Sequence, residues 1–311
     1  MIRRAMRLIG RSICGVSSTP LSTSDFLLDT PGLTNAIGAF SLRKLRSAYA
    51  GSCVLVRRVN DNAEAAIGFS GNWIDKTAVD AHCTTNDGYV VTWYDQSVIG
   101  SNHIFNLVTT QQFKIWDGAR RDWVVTIGGK PATMPLAAPS AAYRTLGVIP
   151  LDNSSLSIGV ICGFAANTAE ATLQAVYGGE SGSICSFWFP NKPHDPEVYD
   201  NGNTPISDMV PGVTPAANTS YICGFAANRT DGITTTSIRH KGVTYSATGL
   251  PYADNQVVNA RLQIGGTSKF LSADHTFQEV IWWTRDIGNN GLTLYAGNCL
   301  SSSWYGSANY V

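Results

Sequence analysis

Charge is scarce and balanced in this sequence: 22 Lys and Arg offset 22 Asp and Glu, and charged residues are 14% of the 311. A neutral chain sets up no global field to gather nucleic acid or an anionic membrane surface. Missing as well is any run of about 18 apolar residues, the length a membrane-crossing helix needs. Cysteines are scattered, at positions 14, 53, 83, 162, 185, 223 and 299. None forms a C-x-x-C pair or a Cys-His cluster at zinc-ligand spacing, so no metal and no cofactor is expected. The odd count leaves at least one thiol outside any internal pairing. Cys162 and Cys223 stand inside apolar runs and read as small buried hydrophobes. This usage points to assembly in a reducing cytoplasm.

The N-terminus lacks the uninterrupted apolar core of a secretory signal. Arg7 and Arg11 break it, leaving little more than Leu8 and Ile9 between charges, so export by that route is not expected. Ile2, Met6, Ile9 and Ile13 recur at helical spacing among Arg3, Arg4, Arg7 and Arg11. Such an arm suits docking on a partner or an anionic surface through the arginines; a frayed terminus is the alternative. A Ser/Thr/Pro-containing connector follows, so residues 1–30 read as arm and connector and 31–311 as one globular domain.

What the sequence does have is 44% hydrophobic residues, 30 glycines and many short apolar runs bounded by turn residues. Ala36, Ala39, Leu42, Leu45 and Ala48 follow an approximate helical order, which predicts a helix over residues 35–49. Strands are predicted at 54–59, 89–94, 123–127, 156–164, 184–189, 221–225, 234–240, 261–264 and 276–283, from their β-branched and aromatic content. The fold class expected is all-β, a sandwich or jelly roll with one or two short helices. Ile161-Cys-Gly-Phe-Ala-Ala-Asn167 recurs letter for letter from Ile222 to Asn228. One recurrence is too little for a solenoid; it predicts two similar central strands of one sheet, whose glycines allow close approach.

Two resemblances sharpen this. Phe277 to Asp286 and the following Ile287 to Leu300, with Trp304-Tyr305-Gly306, resemble the closing strand and short helix of laminin-G and concanavalin-like domains. Alternation along that strand puts Phe277, Glu279, Ile281 and Trp283 on one face and Gln278, Val280 and Trp282 on the other, so it should be internal. Val90-Val-Thr-Trp-Tyr-Asp-Gln-Ser97, taken with Ser41-Leu-Arg-Lys-Leu-Arg46, Val54-Leu-Val-Arg-Arg58 and the turn Asp61-Asn-Ala-Glu64, resembles the catalytic domain of the arabinofuranosidase B family. That family implies a concanavalin-like β-sandwich and a retaining glycoside hydrolase.

A retaining glycosidase needs two carboxyl groups roughly 5–5.5 Å apart. On the resemblance, the nucleophilic glutamate falls on Asn201, or on Asp200 with a one-residue slip, and the acid after Gly265-Gly266 falls on Thr267. The family's adjacent cysteine pair has no match near Tyr177 to Glu180, where Cys185 is nearest. Its β-trefoil is not matched after Gly306. No catalytic residue is therefore expected, with Glu180, Glu197 and Asp200 as the stand-ins to test. Sugar contacts are assigned to Trp188, Tyr199, Asp200 and Asn201, and to Trp93 and Asp95 at the strand end. The strand end has a structural reading too, in which Asp95 and Gln96 satisfy backbone groups of the next loop. The oxygen-rich turns at Asp61 and Asp200 read as turn chemistry.

Chains of this kind resemble tailed-phage proteins. The implied function is a non-catalytic structural or adhesion subunit of the virion, a fibre, tail or head decoration assembled in the host cytoplasm. Its implied partners are other virion proteins through the arm, a host surface glycan, and further copies of itself in a homo-oligomer, with no nucleic acid and no membrane span. A retaining hydrolase and a free-standing lectin module are the competing readings.

Overall fold

The computed structural model describes residues 25–135, the strands between 143 and 283 named below, Leu146, and residues 284–285 and 287–301. Between Thr172 and Ser207, and between Ile233 and Thr248, the description covers strand backbone. Two antiparallel sheets dominate the described residues. A six-stranded sheet has the order Ala36–Ser41, His275–Trp283, Ser155–Phe164, Thr219–Thr230, Ile233–His240, Val243–Thr248. The larger sheet has a main path Pro205–Ser207, Glu197–Tyr199, Gly182–Pro190, Thr172–Gly179, Asn259–Ile264, Tyr143–Thr145, Ile104–Phe105, Gly88–Trp93, Val54–Arg58, Glu64–Ile67. The fold is the expected β-sandwich, and the predicted strands are present except that 123–127 divides into Asp122–Trp123 and Val125–Ile127, in different sheets, and 221–225 extends to Thr219–Thr230.

Apolar side chains lock the sheets together. Phe40 and Trp282 meet edge to face at 5.5 Å, and Phe113 stacks on Phe277 at 5.4 Å. Tyr143, fully buried, accepts from the Phe113 N–H and donates to the Val90 carbonyl. The closing strand is internal, as predicted, between Ala36–Ser41 and Ser155–Phe164. Its faces depart from simple alternation: Phe277 packs on Phe113, whereas Ile281 and Trp283 join a second cluster on the opposite side. A register shift at Ile161/Cys162 is the cause, because one extra residue there turns the strand's parity over.

That second cluster lies beneath α2 (Gly288–Cys299), the short helix after the closing strand. Ile161, Ile222, Leu294, Tyr295 and Trp283 form its centre. The repeated heptapeptides belong to neighbouring strands, with Ile161 opposite Ile222 and Gly159 opposite Gly224. A Cβ on Gly224 would stand 2.5 Å from Leu292 Cδ2, and one on Gly159 2.8 Å from the Tyr295 ring. The paired glycines are the flat floor on which α2 rests.

Three expectations are corrected. Residues 36–41 form a strand, not a helix. All six are buried, because the strand is covered on both faces, and its apolar spacing therefore carried no information about period. The helix of the first half is instead α1 (Lys76–Cys83), capped by Asp75, whose carboxylate accepts the Ala78 N–H. The packed domain also takes in residues before Pro31, since Leu27 and Leu28 of a 3-10 turn are buried in the α2 cluster. The Asp61 turn does behave as turn chemistry: Asp61 accepts from the Ala63 N–H and pairs with Arg58, and Asn62, at φ 58°, accepts from Arg57.

Cys53, Cys83 and Cys299 are free and buried. Burial raises all three thiols, that of Cys83 to about 11, and so suppresses the thiolate. Alkylation of the folded protein at pH 8, followed by peptide mapping, should leave these three unmodified until denaturant is added. Rapid labelling of any of them in the folded state would contradict this packing. Cys162, Cys185 and Cys223 sit on described strands with side chains outside the described residues, as does all of Cys14.

Candidate functional site

The strand Ala36–Ser41 is the outermost of its sheet and would present unpaired backbone groups, a liability for any sheet edge. The segment after Gly88–Trp93 closes it. Asp95 accepts the Ala39 N–H at 3.0 Å, and the Gln96 N–H donates to the Ala39 carbonyl at 2.8 Å. The Asn102 amide donates to Ile37 O at 2.6 Å. Gln96 Nε2 donates to the carbonyls of Ser41 and Arg43, while its Oε1 accepts from the Leu45 N–H. Asp95 and Gln96 are fully buried. Besides Ala39, the Asp95 carboxylate takes the Ser97 N–H, the Ser97 hydroxyl and the Asn102 N–H. Every one of these contacts is a donor, so the group works as a carboxylate acceptor. Burial pushes its pKa up, and those donors pull it back.

The same anchoring shapes a cavity of about 350 Å³ on the outer side of the large sheet. Its wall comes from Thr92 and Tyr94 at the strand end, Phe105 on the next strand, and Thr145 and Leu146 beyond. The loop residues Ser101, Asn102 and His103 complete it. Alternation explains the placing: Val91 and Trp93 point into the core, so Thr92 and Tyr94 face outward and are half-buried. His103 stands edge to face against Tyr94 at 5.0 Å, and its Nδ1 accepts the Asp95 N–H. The ring is thereby fixed as a neutral imidazole with its proton on Nε2. Burial lowers its pKa, with Asp95 opposing.

The register continues this surface across the sheet. Thr92 lies opposite Phe105, Phe105 opposite Arg144, and Arg144 opposite Gln263. Gln263 pairs with Val176, Val176 with Ser186, and Ser186 with Tyr199. Tyr199 therefore occupies the register row that carries the pocket residues, and Trp188 lies two residues along its strand, opposite Glu197.

Among the expected sugar contacts, Trp93 and Asp95 are corrected. Both are fully buried, Trp93 in the core and Asp95 in the edge closure, so the structural reading of that strand end replaces the sugar-rim one. Trp188 and Tyr199 are placed by backbone only, and Glu197 likewise. Asp200, Asn201, Glu180 and Thr267 lie outside the described residues, as do Arg3, Arg4, Arg7 and Arg11. The pocket was not singled out from sequence. Strand alternation alone would have favoured Tyr94 over Trp93 as the outward aromatic, whereas Asn102 and His103 carry no local signal. Among the described residues no helix is long and apolar enough to cross a membrane, and no group of three or more His, Cys, Asp or Glu is placed to hold a metal ion.

Sheet order, internal closing strand and terminal helix together define a concanavalin-like β-sandwich. Arabinofuranosidases are among the solved structures that share this fold. One is an arabinofuranosidase complexed with arabinofuranosyl-alpha-1,2-xylobiose, at TM-score 0.64 and 15% identity, covering 88% of this chain and 64% of that one. Another is a GH54 α-L-arabinofuranosidase soaked with a cyclic sulfate inhibitor, at TM-score 0.59 and 14% identity with the same coverage. The likeness is one of fold, and the chain spans about 64% of the length of these enzymes. No family model and no curated protein matches the sequence.

Proposed function

We propose that this chain is a non-catalytic structural or adhesion subunit, a carbohydrate-facing sandwich carried on a tailed-phage particle and held there by its basic N-terminal arm. The observation that carries the non-catalytic reading is the use made of the most family-like motif. Asp95 and Gln96 are consumed in closing a sheet edge, with no atom left for a substrate. The sequence supports the same reading, because the position matching the family's nucleophile is Asn201, or Asp200 with a one-residue slip, and the one matching its acid is Thr267. Two carboxylates facing one bond are the minimum for retaining hydrolysis. Placement on a particle rests on the sequence resemblance and on the arginine-rich arm, whose planar guanidinium groups suit paired contacts with a partner's carboxylates.

The full-length protein should release no nitrophenol from 4-nitrophenyl α-L-arabinofuranoside above the uncatalysed rate. It should also be recovered from producing cells together with partner proteins, and lose them when residues 1–16 are deleted. Turnover abolished by Glu180→Gln, Glu197→Gln or Asp200→Asn would restore the hydrolase reading. A chain that keeps its partners without residues 1–16 would remove the arm from the proposal.

A further inference from the structure

We infer that the cavity between Tyr94, His103 and Phe105 is a binding site for a neutral saccharide of one or two sugar units. The inference rests on the carbohydrate-facing reading above and deepens it, because it assigns the contact to Tyr94, His103 and Phe105 in place of Trp93 and Asp95. Three observations lead there.

The first is a contrast in hydrogen bonding. The edge-closing residues beside the cavity have their polar groups engaged, whereas several of those that line it keep polar atoms for a ligand. Among the described residues, the Tyr94 and Thr92 hydroxyls, the Ser101 hydroxyl and His103 Nε2 have no hydrogen-bond partner, and Asn102 gives its amide N–H to Ile37 while its Oδ1 meets no donor. Donors and acceptors gathered in a half-enclosed space beside aromatic surface are what a hydroxyl-rich ligand requires.

The second is charge. None of the lining side chains is ionised at neutral pH, since His103 is held neutral by the Asp95 N–H on Nδ1. An ionic ligand would find no counter-charge in the wall itself, at a desolvation cost that a polyol escapes. Arg144 is exposed and lies opposite Phe105 in the register, but it is not part of the wall.

The third is shape. Tyr94, His103 and Phe105 give aromatic surface for the C–H face of a sugar ring, and Leu146, 77% exposed, extends the apolar wall at the mouth. Val98 and Ile99, in the same loop as Ser101, are exposed as well. A volume of about 350 Å³ is at the small end of ligand pockets, which typically run about 300–1,000 Å³. The Asp95 carboxylate, by holding the Asn102 N–H and the Ser97 turn, fixes the loop in advance of binding, so Asp95 is a positioning residue for this site.

The test uses the full-length protein and ligand-observed NMR with calorimetry. The probes are arabinose, xylose, galactose, glucose, xylobiose, cellobiose and lactose, with galacturonate as the anionic control. At least one neutral sugar is expected to bind, and galacturonate to bind at least fivefold more weakly. Tyr94→Phe, which keeps the ring against His103 and removes only the hydroxyl, should weaken binding at least fivefold. Ser101→Trp, in the loop, should abolish it, both at unchanged melting temperature. Binding that survives both variants and is lost in Trp188→Ala would overturn the pocket assignment while leaving the carbohydrate-facing reading intact. Absence of binding across all the neutral sugars would overturn both, and tighter binding of galacturonate would overturn the neutral class.

Discussion

Replacing Arg43 by methionine is expected to destabilise the sandwich by about 3–5 kcal/mol, the usual cost of stranding one partner of a buried ion pair. Arg43 and Glu279 are both fully buried, and the guanidinium grips the carboxylate with Nε at 2.7 Å and Nη2 at 3.1 Å. Nη1 donates to Asn298 at 2.7 Å, and the Ser41 hydroxyl donates at 2.7 Å to Glu279 Oε2, the oxygen that Nε also holds. The variant leaves that carboxylate with the Ser41 hydroxyl and the Cys299 thiol and no counter-charge. Thermal unfolding should show a midpoint lower by about 10 °C, and Glu279→Leu alone should do comparable harm by stranding the guanidinium. The double variant Arg43→Met/Glu279→Leu should recover most of the loss, because two apolar side chains replace a pair whose desolvation offset much of its attraction. If the double variant were as unstable as the sum of the singles, the pair would not be interacting as the geometry requires.

This joint also measures how far the sequence could be read. Strands were legible because β-branched and aromatic residues cluster between turn residues, and the closing strand with its helix was legible as a unit. The family-like segments around Arg43, Gln96 and Glu279 were visible one by one, but not what joins them. Arg43 and Glu279 are 236 residues apart, and Gln96 reaches the carbonyls of Ser41 and Arg43 across more than 50 residues. Periodicity reports burial along one segment and is silent on such partners. It also misled at Ala36–Ser41, where both faces are covered, and at the closing strand, where a register shift moves Phe277 to the other side. The pocket was hidden for a related reason: its wall is drawn from segments near 92, 103 and 145 that meet only through strand pairing.

Asp95→Asn should be the next most damaging substitution, at about 2–4 kcal/mol, although it changes one oxygen to an amino group. Four donors converge on the native carboxylate: the backbone N–H groups of Ala39, Ser97 and Asn102, at 2.9–3.1 Å, and the Ser97 hydroxyl at 2.9 Å. An amide keeps one acceptor oxygen and turns an N–H₂ toward groups that can only donate. The Ser97 hydroxyl can rotate and accept, but a backbone N–H cannot, so at least one buried N–H loses its partner, at roughly 1–3 kcal/mol. Ala39 and Asn102 lie on different elements, so whichever orientation the amide takes, the damage reaches either the sheet edge or the pocket loop. Hydrogen exchange separates the two: faster exchange at Ala39 reports an opened edge, and faster exchange at Asn102 and His103 a loosened loop. Wild-type stability with wild-type exchange at all three positions would mean that the carboxylate is not the keystone its contacts describe. Saccharide affinity should fall with loosening of the loop and not with loosening of the edge, because Asn102 and His103 belong to the cavity and Ala39 does not.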